Sequence, residues 1–238
     1  MKLLGLPPHN DQAVKGCDQL LTKGLHQNQE IRFSRGKEIQ DLGVSALVLS
    51  ICSYFGYEDI SLQRIAGFLI GEQCISGNWL PDGSHSAATY TFETTLIVLE
   101  ALHQFRNRYP QQESSATLAA VAKGQEFLLT HNLFLDQGKP IKNSWTSFAF
   151  PPYWFYDVLA VLDYFQSFRM NRDQRIQPAV DLLLKRRSAD GTWKLGPRHP
   201  GKTYFDMEKI GEPSKWNTLR ALRVLEWWNN NNAMQPAT

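Results

Sequence analysis

The chain has 238 residues, of which 42% are hydrophobic, 12% aromatic and 20% charged, and it holds seven Trp. This composition supports one large packed domain over residues 1–238 and excludes a disordered chain. A net charge of +2 with no basic run excludes nucleic acid as an expected partner, and no stretch reaches the ~18 consecutive apolar residues of a membrane span.

Residues 1–10 lack the long apolar stretch and cleavage-type end of a secretion leader. Cys17, Cys52 and Cys74 are odd in number and widely spaced, which is not a disulfide framework. A cytoplasmic protein is expected. An amphipathic helix is expected over residues 11–25 and an apolar one over 44–55. The alternation then repeats. Residues 59–74 read as amphipathic, with Leu62, Ile65, Ala66, Leu69 and Ile70 at helical spacing, and 94–102 as apolar. Residues 115–131 and 157–165 form the third pair, and 173–187 and 217–225 the fourth. Pro178 predicts a kink or a late start in the seventh helix. Asp59, Ser61, Ser115 and Asp173 are expected N-caps. Residues 229–238 read as a polar, flexible tail.

Leu47, Leu96, Leu159 and Leu219 fall in one column of this alignment, at intervals of 49, 63 and 60 residues. Half-exposed outer helices alternating with buried inner ones make two layers, so the fold class is all-α, built from four helical hairpins.

The ends of the outer helices share a signature. The second reads Phe68-Leu69, three residues, Gln73, three residues, Gly77-Asn78-Trp79. The fourth reads Leu182-Leu183, three residues, Arg187, three residues, Gly191-Thr192-Trp193. Lys123-Gly124 followed by Phe127-Leu128, and Lys15-Gly16 followed by Leu20-Leu21, are weaker copies in the third and first. This pattern resembles the Gln-Trp repeat of squalene cyclases and the related prenyltransferase repeat. The resemblance implies a partial or small α/α toroid of the terpenoid cyclase/prenyltransferase type. It also implies a hydrophobic, isoprenoid-like small molecule as ligand. With four hairpins, a homo-oligomer or a partner subunit would complete the ring. The resemblance stops short of catalysis. The cyclases' Asp-x-Asp-Asp acid motif and the prenyltransferases' Asp-x-Cys zinc motif are both absent from the sequence.

In such a toroid the loops before the inner helices form the mouth of the cavity. Here they hold Tyr90 and Glu93, then the run from Trp145 through Tyr153, Trp154 and Tyr156 to Asp157, then Trp216 and Asn217. As a ligand site, Tyr90, Trp145, Tyr153, Trp154, Tyr156 and Trp216 would cage a hydrophobic or cationic group, with Asn217 beside them. Asp157 or Glu93 would be the acid. As architecture, the same rings fill a wide core and the two acids sit at helix starts. Both readings stay open. Thr94, Asp157 and Asn217 also share one alignment column, with Ala46 in the first repeat. Cys74, Asp82 and His85 flank Trp79 at spacing too irregular for zinc, so no metal and no cofactor is expected. A non-catalytic protein-binding repeat module and a glycan-processing toroid are the alternative functions.

Overall fold

The computed structural model describes residues 4–26, 29–33, 42–80, 88–199, 201 and 204–230. Among these are eight α-helices and four two-residue strands. The helices are α1 (Asp11–Gly24), α2 (Leu42–Phe55), α3 (Ile60–Gly71), α4 (Ala88–Arg108), α5 (Ser115–Thr130), α6 (Val158–Ser167), α7 (Gln177–Lys185) and α8 (Lys215–Asn230). Each expected helix is present, so the chain is all-α. The strands form two antiparallel pairs: β1 (Leu135–Asp136) with β2 (Lys139–Pro140), and β3 (Trp193–Lys194) with β4 (Pro213–Ser214).

Local chemistry sets the helix ends. The side chains of Asn10, Asp59 and Asp157 accept from the backbone N–H of Ala13, Ser61 and Ala160 at 3.1, 2.6 and 2.7 Å, capping α1, α3 and α6. The cap of α5 is Ser114 rather than the expected Ser115: its hydroxyl accepts from Thr117 N–H at 3.1 Å. Pro178 produces the late start. A 3-10 turn over Gln174–Ile176, capped by Asp173, precedes α7, and the proline occupies the first turn of α7, where no donor is needed. Gly56 ends α2 in the left-handed region (φ 72°), with Tyr57 N–H returning to the Cys52 carbonyl at 3.0 Å.

Packing divides the chain into two compact units, residues 1–127 and 128–238. In the first, α2 packs on α1, α3 and α4. Leu49, Cys52, Val98, Leu99 and Leu102 are wholly buried there, and Leu62, Ile65, Ala66 and Leu69 seal α3 onto this core. In the second, α6 packs on α7 and α8, with Leu159, Val161, Leu162, Ala179 and Leu183 inside. The helix α8 departs from the expected all-round burial. Arg220, Arg223 and Glu226 break its apolar surface, and Leu219 and Leu222 are exposed. Arg220 is itself buried and pairs with Asp163 of α6 at 2.9 Å.

Candidate functional site

The two Gly-x-Trp segments have one geometry. Trp79 and Trp193 are both fully buried. Their indole N–H groups donate to the carbonyls of Leu69 and Leu183, at 2.6 and 2.7 Å, each ten residues upstream at the end of its outer helix. Their backbone N–H groups donate to the hydroxyls of Thr95 and Thr218, both at 3.1 Å, on the inner helices that follow. Each threonine stands one residue before the aligned leucine. Gly77 and Gly191 take φ of 90° and 85°, and their N–H groups return to Cys74 and Ser188 at 2.9 Å. The Gln73 and Arg187 side chains donate to the Gly77 and Gly191 carbonyls, at 2.7 and 3.3 Å. Gln73 also reaches the Ala120 carbonyl of α5 at 2.8 Å. A Cβ on Gly124 would meet the Trp79 ring at 2.7 Å, so the bare glycine admits the indole edge.

In the column of Thr94, Asp157 and Asn217, the last two make structural hydrogen bonds. Asn217 donates to the carbonyls of Phe148 and Lys194 at 2.7 and 3.2 Å, bracing the loop before α6 against β3. Asp157 caps α6. Burial raises its carboxyl from the ordinary 3.8 to about 6, against the pull of the Arg220 charge. In the first hairpin the residue two before Leu47 is Ser45 rather than Ala46, and its hydroxyl accepts from Ile31 N–H at 2.9 Å. These side chains tie the incoming loop to the inner helix.

An open cleft of about 210 Å³ lies within the second unit. One wall is the segment before α6, from Ala149 to Tyr153. The other is the long loop between β3 and β4, whose neck is closed by hydrogen bonds between Leu195 and Glu212 and between Gly211 and Leu195, both 2.9 Å. Gly196 locks the two walls together. Its N–H donates to the Phe148 carbonyl at 2.8 Å, and a Cβ there would come within 2.9 Å of that oxygen. The floor includes Phe150, which stacks on Trp216 at 5.0 Å and 6° between planes. The rim holds Tyr153, Tyr204 and Phe205, exposed by 47%, 91% and 74%. Tyr153 sits in the left-handed region (φ 50°), which turns its ring away from the buried path of its neighbours. Trp154 packs beside it at 5.9 Å and is half exposed. Arg198 is ion-paired with Asp206 on the cleft lining. Glu208 accepts from the Ser214 hydroxyl at 2.5 Å and from Lys215 N–H at 2.7 Å, fixing the start of α8.

No family model matches the chain, and no curated protein matches it.

The expected site residues separate by environment. Tyr153 lines the cleft, Trp154 lies tilted beside Tyr153, and Trp216 stacks on the cleft residue Phe150. Trp145 and Tyr156 are core residues. Their rings lie 4.6 Å apart, and the Tyr156 hydroxyl donates to the Leu133 carbonyl at 2.5 Å. Burial, then the neighbouring Asp157 carboxylate, pushes the Tyr156 phenol well above its ordinary value. Tyr90 is exposed on α4 and Glu93 is buried there, both in the first unit. Neither Asp157 nor Glu93 lines the cleft. Tyr204, Phe205, Arg198, Asp206 and Glu208 were absent from the sequence-based site. Their one sequence signal is an aromatic pair followed by acids in a stretch without helical period. Among the described residues no group of His, Cys, Asp or Glu could hold a metal ion, and no helix is long and apolar enough to cross a membrane. Asp82, His85 and residues 231–238 lie outside the described residues.

Proposed function

We propose that the chain is a squalene-cyclase/prenyltransferase-repeat protein, four hairpins in a partial α/α toroid, that acts in the cytoplasm as a small-ligand binding module. The matching hydrogen bonds around Trp79 and Trp193 support the repeat reading, because independent loops have no reason to reproduce three bonds at the same offsets and a fourth to the aligned threonine. The binding reading rests on the rim of exposed rings around a cleft with a covered aromatic floor. Exposed apolar rings gathered at a concavity mark a ligand or partner site.

Binding without acid catalysis is favoured by the position of the acids. Asp157 is used as a helix cap, and the carboxylates that do line the cleft are engaged with Arg198 and with the start of α8. The cleft suits one compact group rather than a complete triterpene, given that ligand cavities usually span ~300–1,000 Å³.

Native mass spectrometry with polyprenyl diphosphates, triterpenes, oligosaccharides and small ammonium compounds tests this reading. The expected result is a one-to-one complex with a compact ligand, kept in Asp157→Asn and Glu93→Gln and weakened in Phe205→Ala. Turnover that either acid variant abolishes would make the protein an enzyme instead. No complex with any class would remove the small-ligand reading.

A further inference from the structure

The cleft has a chemical character beyond its shape. Three rings, Tyr153, Tyr204 and Phe205, rise around its mouth, and Phe150 lies beneath them. Its charged lining is unequal: Arg198 stands against Asp206 and Glu208. The ion pair with Asp206 occupies the Arg198 guanidinium, and the Glu208 carboxylate is held by neutral donors, the Ser214 hydroxyl and the Lys215 backbone N–H. Lys209, next in sequence, pairs with Glu212 at 3.5 Å. His199 lines the cleft as well, stacked on Phe155 at 3.9 Å. Burial, and secondarily the Lys142 charge, hold its imidazole below the ordinary value, so it adds no positive charge at neutral pH.

From this arrangement we infer that the cleft binds an organic ammonium group, quaternary or fully methylated, seated against the faces of Tyr153, Tyr204 and Phe205 with Glu208 balancing its charge. This rests on the reading of the cleft as the binding site. The negative faces of aromatic rings attract a cation, and a quaternary ammonium suits them best because it has no N–H donors to satisfy and gives up its water easily. A primary ammonium or a metal ion takes several oxygen acceptors, whereas the mouth of the cleft is made of ring faces. A diphosphate would need surplus cations, and the guanidinium among the described lining residues, Arg198, is already paired with Asp206. A trimethylammonium head on a short chain fills a cavity of about 210 Å³ without entering the core.

The test compares choline with its neutral tert-butyl analogue, which has the same shape and no charge, by isothermal titration calorimetry on the full chain. Choline is expected to bind about tenfold tighter or better. Tyr204→Leu and Phe205→Leu keep apolar bulk at exposed positions where folding is not at stake. Each is expected to weaken choline several-fold while leaving the neutral analogue unchanged. Equal binding of the two compounds overturns the ammonium inference and leaves the cleft as an apolar site. Binding of neither overturns both the inference and the cleft as a small-ligand site.

Discussion

Asp157 offers the sharpest quantitative test, because one side chain carries both a structural and a catalytic interpretation. Its carboxyl is raised from 3.8 to about 6 by burial. A group raised in the folded state keeps its proton there after the unfolded chain has lost it. Stability therefore falls as pH rises from about 4 to about 6, and stays at the lower level above that. Each tenfold change in acidity constant is about 1.4 kcal/mol, so up to about 3 kcal/mol is lost across this window. Asparagine retains the capping oxygen toward Ala160 and carries no charge at any pH. Urea unfolding of wild type and Asp157→Asn between pH 4 and pH 7.5 isolates the effect from every other titrating group. The two proteins should be nearly equal at the acid end. The variant should be more stable at the neutral end by up to about 3 kcal/mol. Asp157→Ala loses the cap instead and should be less stable by about 1 kcal/mol in acid, where the carboxyl is neutral. Parallel profiles for wild type and Asp157→Asn would refute the reasoning, because they would mean a carboxyl that titrates in its ordinary range. Ligand affinity at the cleft should be the same in all three proteins.

Three further outcomes follow from the repeat geometry. Trp79→Phe and Trp193→Phe each leave a buried carbonyl, of Leu69 or Leu183, without its indole donor, and each should cost about 1–3 kcal/mol in chemical denaturation. Gly77→Ala should cost more than Gly138→Ala. Both glycines have positive φ, 90° and 76°, but a Cβ on Gly77 would run into the Lys123 carbonyl oxygen while one on Gly138 meets nothing, so the second change isolates the backbone penalty of about 1–2 kcal/mol. Gly124→Ala should destabilise by about 1–3 kcal/mol, as its methyl would overlap the Trp79 ring and Leu99, and pairing it with a smaller residue at Leu99 should recover part of the loss.

How far the sequence reaches depends on periodicity. The helices were readable because each outer one repeats its apolar residues at helical spacing and each inner one, α8 excepted, is apolar on most sides. Where a second signal was present the detail also followed, as with Pro178 delaying α7 and Asp59 capping α3. Adjacent serines defeated the assignment of the α5 cap, since either hydroxyl could reach the first turn. The cleft was readable only in part. Trp145, Tyr153, Trp154 and Tyr156 form one dense aromatic stretch in sequence, yet the turn at Tyr153, closed by Phe155 N–H on the Pro152 carbonyl at 3.0 Å, sends Tyr153 and Trp154 to solvent while Trp145 and Tyr156 stay in the core. Composition carries no trace of that turn. The opposite wall comes from a loop without period, held only at its neck by β3 and β4, so nothing in the spacing tied Tyr204 and Phe205 to a site. Asp157 was ambiguous for a different reason: a helix cap and a buried acid require the same residue at the same position.

The most direct test of the binding reading is the indole N–H spectrum of the protein by NMR, recorded during titration with choline and, separately, with its neutral tert-butyl analogue. The seven tryptophans are internal reporters. Trp154 beside Tyr153 and Trp216 beneath Phe150 touch residues of the cleft, whereas Trp79 is buried against Leu69 and Gly124 in the first unit. The expected result is saturable shifts of Trp154 and Trp216 with at least one of the two compounds, and a stationary Trp79. Stationary Trp154 and Trp216 with both compounds, or shifts centred on Trp79, would contradict the cleft as the functional site.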